Sequence, residues 1–234
     1  MRVLKFGGSS VANAENVNKI VSILHERLEK EKLIVVVSAL GGITDALISG
    51  VQLASKGDIL YKEELQKIEV RHLEMVKQLI PVTNQSRVLS MVKQHCNEIE
   101  DICNGVFLLQ ELTPRTKDRM MSYGELLSSQ IFAAKLKSAG INNVWKDSRD
   151  LVITNSDFGN AAVDFAVTTK NIKEFFSLGH SGVYIIPGFI GKDKNGNTTT
   201  LGRGGSDYTA AIFGAALDAS SVEIWTDVSG MMTA

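Results

Sequence analysis

The sequence predicts an α/β fold with a largely parallel sheet. Three observations carry that prediction. Residues 33–37 and 183–187 are short, continuous, mostly β-branched runs, the pattern of strands buried on both faces. Extended runs empty into glycine turns that open helices, at Gly7-Gly8, Gly41-Gly42 and Gly202 to Gly205. Segments of helical spacing alternate with the extended runs along the chain.

In chain order, Arg2 to Phe6 reads as the first strand and empties into Gly7-Gly8-Ser9-Ser10. Val17, Ile20, Val21, Leu24 and Leu28 then repeat at helical spacing, with Asn13 placed to cap the helix. The run 33–37 is the second strand, followed by Ser38, Gly41-Gly42, Thr44 and Asp45. From about 44 to 139 the chain reads as almost wholly helical. Thr113-Pro114 supplies a helix start and Gly140 a stop. Strand character returns at Asn143 to Lys146. Residues 162–178 read as a strand end and a helix, and 183–187 as a buried strand. Asn195-Gly196 between short arms predicts a hairpin with a type I′ turn. A helix is expected from about 207 to 218, and a last strand at Val222 to Trp225.

The bulk properties exclude several classes. At 234 residues the chain can bury one large core. A formal net charge of −1 offers no general attraction to nucleic acid or acidic membranes. The longest apolar runs fall far short of the roughly 20 residues of a membrane span, and no signal-peptide pattern opens the chain. Cys96 and Cys103 share one helical pattern, about 10 Å apart and beyond disulfide reach. Free thiols without a targeting segment predict the cytoplasm.

The glycine turns are where chemistry is expected. In open α/β sheets such turns gather at the carboxyl ends of the strands, where ligands bind. Glycine lets the backbone approach an anion, and the free N–H groups of a helix start favour negative charge. Each of two turns has a cation beside it, Lys5 and Arg203. No P-loop and no dinucleotide fingerprint is present. Ser38, Thr44, Asp45, Asp150, Asp207, Thr226 and Asp227 fall just past strands, as caps or as site groups; Asp45 and Asp207 stand where caps would be. Glu125 is a mid-helix acid in an apolar stretch, either a solvated residue or an inward acid awaiting an ammonium. Arg149 and Arg203 are surface cations or anion-binding groups. The four histidines, His25, His72, His95 and His180, show neither metal-ligand spacing nor a nucleophile arrangement and read as structural.

Together these residues carry a resemblance. The runs Lys5-Phe6-Gly7-Gly8-Ser9-Ser10, Gly42-Ile43-Thr44-Asp45, Tyr123-Gly124-Glu125, Leu201-Gly202-Arg203-Gly204-Gly205-Ser206-Asp207-Tyr208 and Trp225-Thr226-Asp227-Val228 resemble the aspartokinases of the amino-acid kinase family. The opening fifteen residues are most similar to the kinase part of bifunctional aspartokinase–homoserine dehydrogenases. The resemblance spans nearly the whole chain and implies a three-layer αβα sandwich with a mainly parallel sheet. It implies ATP-dependent phosphorylation of the L-aspartate side chain, the first step toward lysine, threonine and methionine, with Mg²⁺ accompanying ATP.

The resemblance also implies roles. Lys5, with Gly7, Gly8 and Ser9, would hold the moving phosphoryl group, and Asp207 would position Lys5. Glu125 would take the substrate ammonium and Arg203 its α-carboxylate, with Ser38, Thr44, Arg149 and Ser206 nearby. Thr226, Asp227 and Met232 would lie on the nucleotide side; Met232 stands where the family commonly has an aromatic residue. The family pattern continues past the position of Ala234 with Asp-Pro-Arg and regulatory domains. The expectation is therefore a truncated kinase domain over 1–234 with weak or absent ATP binding, which calorimetry would check. A homo-oligomer is expected for the full-length protein. The alternatives are another family member acting on glutamate, acetylglutamate or a nucleoside monophosphate, or a non-catalytic amino-acid-binding module.

Overall fold

A computed structural model describes residues 1–28, 31–179 and 182–226. Five strands form one sheet: β1 (Arg2–Phe6), β2 (Leu33–Val37), β3 (Asn143–Trp145), β5 (Val183–Pro187) and β8 (Ser221–Trp225). Their order is β3-β5-β2-β1-β8 and every neighbouring pair is parallel. All carboxyl ends therefore share one edge, and the turns after Phe6, Val37 and Pro187 meet there.

The central strands are buried on both faces, as their unbroken apolar runs require. Leu4, Val35, Val37 and Ile185 join one core with α1 (Ala14–Leu28), α2 (Ile43–Ser55), α3 (Tyr61–Leu79), α4 (Val82–Leu109) and α5 (Pro114–Ser138). Val3, Ile34, Val36, Tyr184 and Ile186 join a second core with α6 (Phe165–Ser177) and α7 (Gly205–Ala216). The period-two alternation of strand side chains thus feeds two helical layers and makes the three-layer sandwich. The helical stretch after residue 43 resolves into α2 to α5. Asn13 accepts from Asn16 N at 2.8 Å and Thr113 from Thr116 N at 3.1 Å, so both act as caps.

A second, small sheet, β4-β6-β7, joins β4 (Ile153–Thr154), β6 (Ile190–Asp193) and β7 (Thr198–Thr200). β6 and β7 form the expected hairpin, but its turn is not type I′. Gly196 has φ 82° while Asn195 is not among the residues of positive φ, and a I′ turn needs both. Asp193 takes over the turn, accepting on Oδ1 from the backbone N–H of Asn195 at 2.9 Å and of Asn197 at 2.8 Å. Other expectations shift by a residue or two: α7 begins at Gly205, and β8 at Ser221.

Cys96 and Cys103 are both free thiols on α4. His72 is fully buried with Nδ1 2.7 Å from the Ile68 carbonyl, and burial lowers its pKa to about 4. His180 lies outside the described residues. Among the described residues no helix is long and apolar enough to cross a membrane.

Candidate active site

A cavity of about 500 Å³ opens at the carboxyl edge of the sheet, between the turns after β1 and β2 and the N-terminal turn of α7. Lys5, Ser38, Thr44, Glu125, Arg203, Ser206 and Asp207 all line it, although they come from five parts of the chain. Local sequence explains each approach. Gly8 and Gly41 touch backbone to backbone: Gly41 N donates to Gly8 O at 3.1 Å, and a Cβ on Gly8 would stand 3.1 Å from Ala39 O. A Cβ on Gly188 would lie 2.8 Å from Ser206, so only glycine lets the start of α7 seat against the end of β5.

Lys5 is nearly buried at the end of β1, and its Nζ lies 2.6 Å from Asp207 Oδ1. Asp207 does not cap α7, nor Asp45 α2. The cap positions are Gly204 and Gly42, in left-handed conformation at φ 72° and 82°, without a side-chain cap. Each acid sits in the first helical turn, where the helix dipole favours it. The Asp207 carboxylate is thereby left to hold Lys5 rather than the helix end. The same first turn brings in Ser206, with Arg203 exposed just before it.

Glu125 is the buried acid of the cavity. It is 4% exposed; Oε1 accepts from Ala39 N at 3.3 Å, while Oε2 is buried with no hydrogen-bond partner. Burial pushes its carboxyl up to about 8, against the backbone N–H of Ala39 that opposes the shift. Gly124 permits this placement, since a Cβ there would come within 2.8 Å of Ala39 Cβ. Ser128 Oγ donates to Ser38 O at 2.6 Å and fastens the same face of α5 to the end of β2. The site thus has an ammonium–carboxylate pair at the glycine turn and, on α5, a carboxyl oxygen without a hydrogen-bond partner. A buried, unsatisfied carboxylate costs free energy that a cationic ligand group removes.

Other expected site residues are placed differently. Gly7, Ser9 and Thr226 do not line the cavity and lie beside it, where Gly7 N and Ser10 Oγ both donate to Trp225 O, at 3.1 and 3.2 Å. Asp227 and Met232 lie outside the described residues. Arg149 does not join the cavity. Its Nη2 is 2.6 Å from Asp147 Oδ2 and its Nη1 donates to Thr198 Oγ1 at 3.2 Å, which turns it into a separate cleft of about 690 Å³ with Arg115 and Arg119. Asp150 is likewise spent, on Lys146 at 2.6 Å and Lys192 at 3.3 Å.

One lining residue carried no signal in the sequence. Phe189 has φ 68°, a strained conformation for a non-glycine residue, and its N–H donates to Thr209 Oγ1 at 2.9 Å. It follows Gly188 directly, and a Cβ on Gly205 would stand 2.6 Å from its ring. Ring, hydroxyl and glycine together hold the cavity wall between β5 and α7.

The chain resembles known proteins along nearly its whole length. A family model described as the amino acid kinase family matches residues 1–234. Aspartokinase 1, chloroplastic, of Arabidopsis thaliana is 36% identical over 238 residues, covering 99% of this chain and 41% of that protein. Lysine-sensitive aspartokinase 3 of Escherichia coli is 34% identical, covering 99% of this chain and 50% of that protein. A bifunctional aspartokinase/homoserine dehydrogenase of Buchnera aphidicola is 31% identical, with 29% of its length covered. The crystal structure of E. coli aspartokinase III in complex with aspartate and ADP superposes with a TM-score of 0.89 at 33% identity, over 98% of this chain and 50% of that one. The chain thus spans half or less of the length of these relatives.

Proposed function

The chain belongs to the amino acid kinase family, and on that premise we propose that it transfers the γ-phosphoryl group of ATP to the side-chain carboxylate of L-aspartate. The observation that carries this reading is the cavity's pairing of opposites. The Lys5–Asp207 pair stands at the glycine turn, and Glu125, with its unpartnered Oε2, lines the same cavity. Relatives named aspartokinase, one of them solved with aspartate and ADP, support the same substrate class.

The chemistry asks little of general acids or bases. The aspartate side chain has an ordinary pKa of about 3.9 and is already ionised at neutral pH. One of its oxygens attacks the γ-phosphorus, the bond to the leaving ADP oxygen breaks, and an acyl phosphate forms. Catalysis is then positioning plus charge stabilisation. Glu125 takes the ammonium and Arg203 the α-carboxylate, which aims the side-chain carboxylate toward Lys5. The Lys5 ammonium, held by Asp207, stabilises charge on the moving phosphoryl group. Among the described residues no three His, Cys, Asp or Glu side chains gather to hold a metal. Mg²⁺ needs only one or two carboxylates beside the substrate phosphates, and would supply neutralisation of charge on those phosphates. Gly7, Ser9 and Thr226 would lie on the nucleotide side, and the free thiols Cys96 and Cys103 fit a reducing compartment such as the cytoplasm.

The test is a substrate panel of L-aspartate, glutamate, acetylglutamate and uridine monophosphate, read by coupled ADP release at excess ATP and by calorimetric binding. Aspartate is expected to be preferred in both. Lys5→Ala should abolish turnover, by about a hundredfold or more, while aspartate binding is largely kept. Preference for another acceptor would overturn the substrate assignment, and a fully active Lys5→Ala variant would overturn the role of Lys5. A non-catalytic binding module would have no need of the Lys5–Asp207 pair.

A further inference from the structure

Glu125 and Arg203, the two groups that would grip an amino acid's backbone charges, stand on different elements. Glu125 is on α5, and Arg203 is on the turn between β7 and α7. One buried side chain joins the two. Asp118 lies on α5 two helical turns before Glu125, and is 1% exposed. Its Oδ2 accepts from Gly159 N at 2.9 Å and from Thr200 N at 2.8 Å, and its Oδ1 accepts from Thr200 Oγ1 at 3.0 Å. Thr200 ends β7, three residues before Arg203. The 159–161 loop braces the turn from its other side. Ala161 N donates to Thr200 O at 2.9 Å, and a Cβ on Gly202 would run into Asn160 Oδ1. The carboxylate therefore fastens both flanks of the Arg203 turn to the helix that carries Glu125.

A helix is a stiff spacer, and Asp118 and Glu125 are fixed about 10 Å apart along its axis. The turn is pinned at one mark and the ammonium acceptor stands at the other. The carboxylate receives all three donors; an amide could keep the two N–H bonds on its oxygen and donate to a reversed Thr200 hydroxyl, so only removal of the side chain breaks the clamp. Among the described residues no lysine or arginine forms an ion pair with Asp118, so its bonds to the turn are its whole anchorage.

We propose that Asp118 is a positioning residue that sets the span between Glu125 and Arg203, and thereby selects a ligand whose ammonium and carboxylate sit on the same carbon. The proposal rests on the aspartate reading above. It differs from a purely structural role in one respect: loosening the clamp should cost the α-carboxylate contact more than the ammonium contact.

The experiment compares L-aspartate with β-alanine, which is aspartate without its α-carboxylate. Affinities are measured by calorimetry for the chain and for Asp118→Ala, Thr200→Val and Thr200→Ser. The unaltered chain should favour aspartate strongly. In Asp118→Ala, aspartate affinity should fall about tenfold or more, as misplacement of a positioning group costs, while β-alanine affinity should change by less than about threefold. Thr200→Val, which removes only the hydroxyl contact, should move the ratio in the same direction by less, and Thr200→Ser should restore it. Should Asp118→Ala fail to fold, the Thr200 pair decides. Equal weakening of both ligands, or an unchanged ratio, overturns the positioning role while leaving the functional reading standing. An unaltered chain that does not distinguish the two ligands overturns the aspartate reading and the inference together.

Discussion

At the scale of single residues, Glu125 makes the sharpest prediction. Burial holds its carboxyl protonated up to about 8, and only the ionised form pairs with an ammonium. Binding below that pH must therefore expel a proton. Aspartate affinity should rise as pH increases from about 6 to 8, approaching tenfold per unit on the acid side, and then level off. Calorimetry in buffers of different ionisation enthalpy should show close to one proton released at neutral pH. Glu125→Gln should weaken binding and flatten the profile; a steep profile in that variant would sink the assignment. The same shift acts on the empty fold. Because the folded pKa stands above the ordinary 4.5, the stabilisation from the protonated form is complete below about 4.5 and is lost as pH rises through about 8. Arg203→Ala should cost about 1.5–3 kcal/mol of aspartate binding, the range for hydrogen bonds to charged groups, and Arg203→Lys should recover only part of it because the bidentate fork is gone. The sequence exposed Glu125 as an anomaly but left its direction open, since an acid in an apolar stretch is inward or outward by where the helix rolls. It gave no warning of Phe189, because nothing in residue type announces a strained positive φ.

At the scale of elements, the glycines decide how closely helices reach the site. Gly124→Ala would press its Cβ against Ala39, which a Cβ would approach to 2.8 Å. The overpacking should cost about 1–3 kcal/mol in denaturant unfolding, and it should also weaken aspartate binding, because Glu125 is the next residue. Thr113→Ala removes only a helix cap and should cost about 1 kcal/mol without changing ligand preference. Stability loss without affinity loss in Gly124→Ala would show that the contact is ordinary packing. The helices and both caps were legible because period and cap chemistry are local. In the small sheet the β6–β7 hairpin was legible from Asn195-Gly196, but β4 was not, because it spans two residues and its pairing with β6 is long-range. The surroundings of Arg149 were not legible either: Asp147, two residues earlier, holds the guanidinium at 2.6 Å, a local pairing that residue type alone does not announce.

At the scale of the whole molecule, one sheet serves two cores. Leu4 faces the layer of α1 to α5, and Ile34 faces α6 and α7. Leu4→Ala and Ile34→Ala should each cost roughly 2–5 kcal/mol and lower one and the same thermal transition. Amide exchange should be slowest in β1, β2 and β5, which are common to both cores. Two separable transitions, each moved by one variant, would show that the layers unfold independently.

The joint between Gly8 and Gly41 has a mechanical meaning. Backbone meets backbone there, with Gly41 N on Gly8 O at 3.1 Å, and the strands behind are locked in parallel register from Arg2 opposite Leu33 to Phe6 opposite Val37. A seam with no side chain in it has no rotamer to turn and no soft contact to compress. The turn after β1 and the turn after β2 therefore form a single rigid wall of the cavity. Substitution of either glycine by alanine would force the two turns apart and change the shape of the cavity they wall.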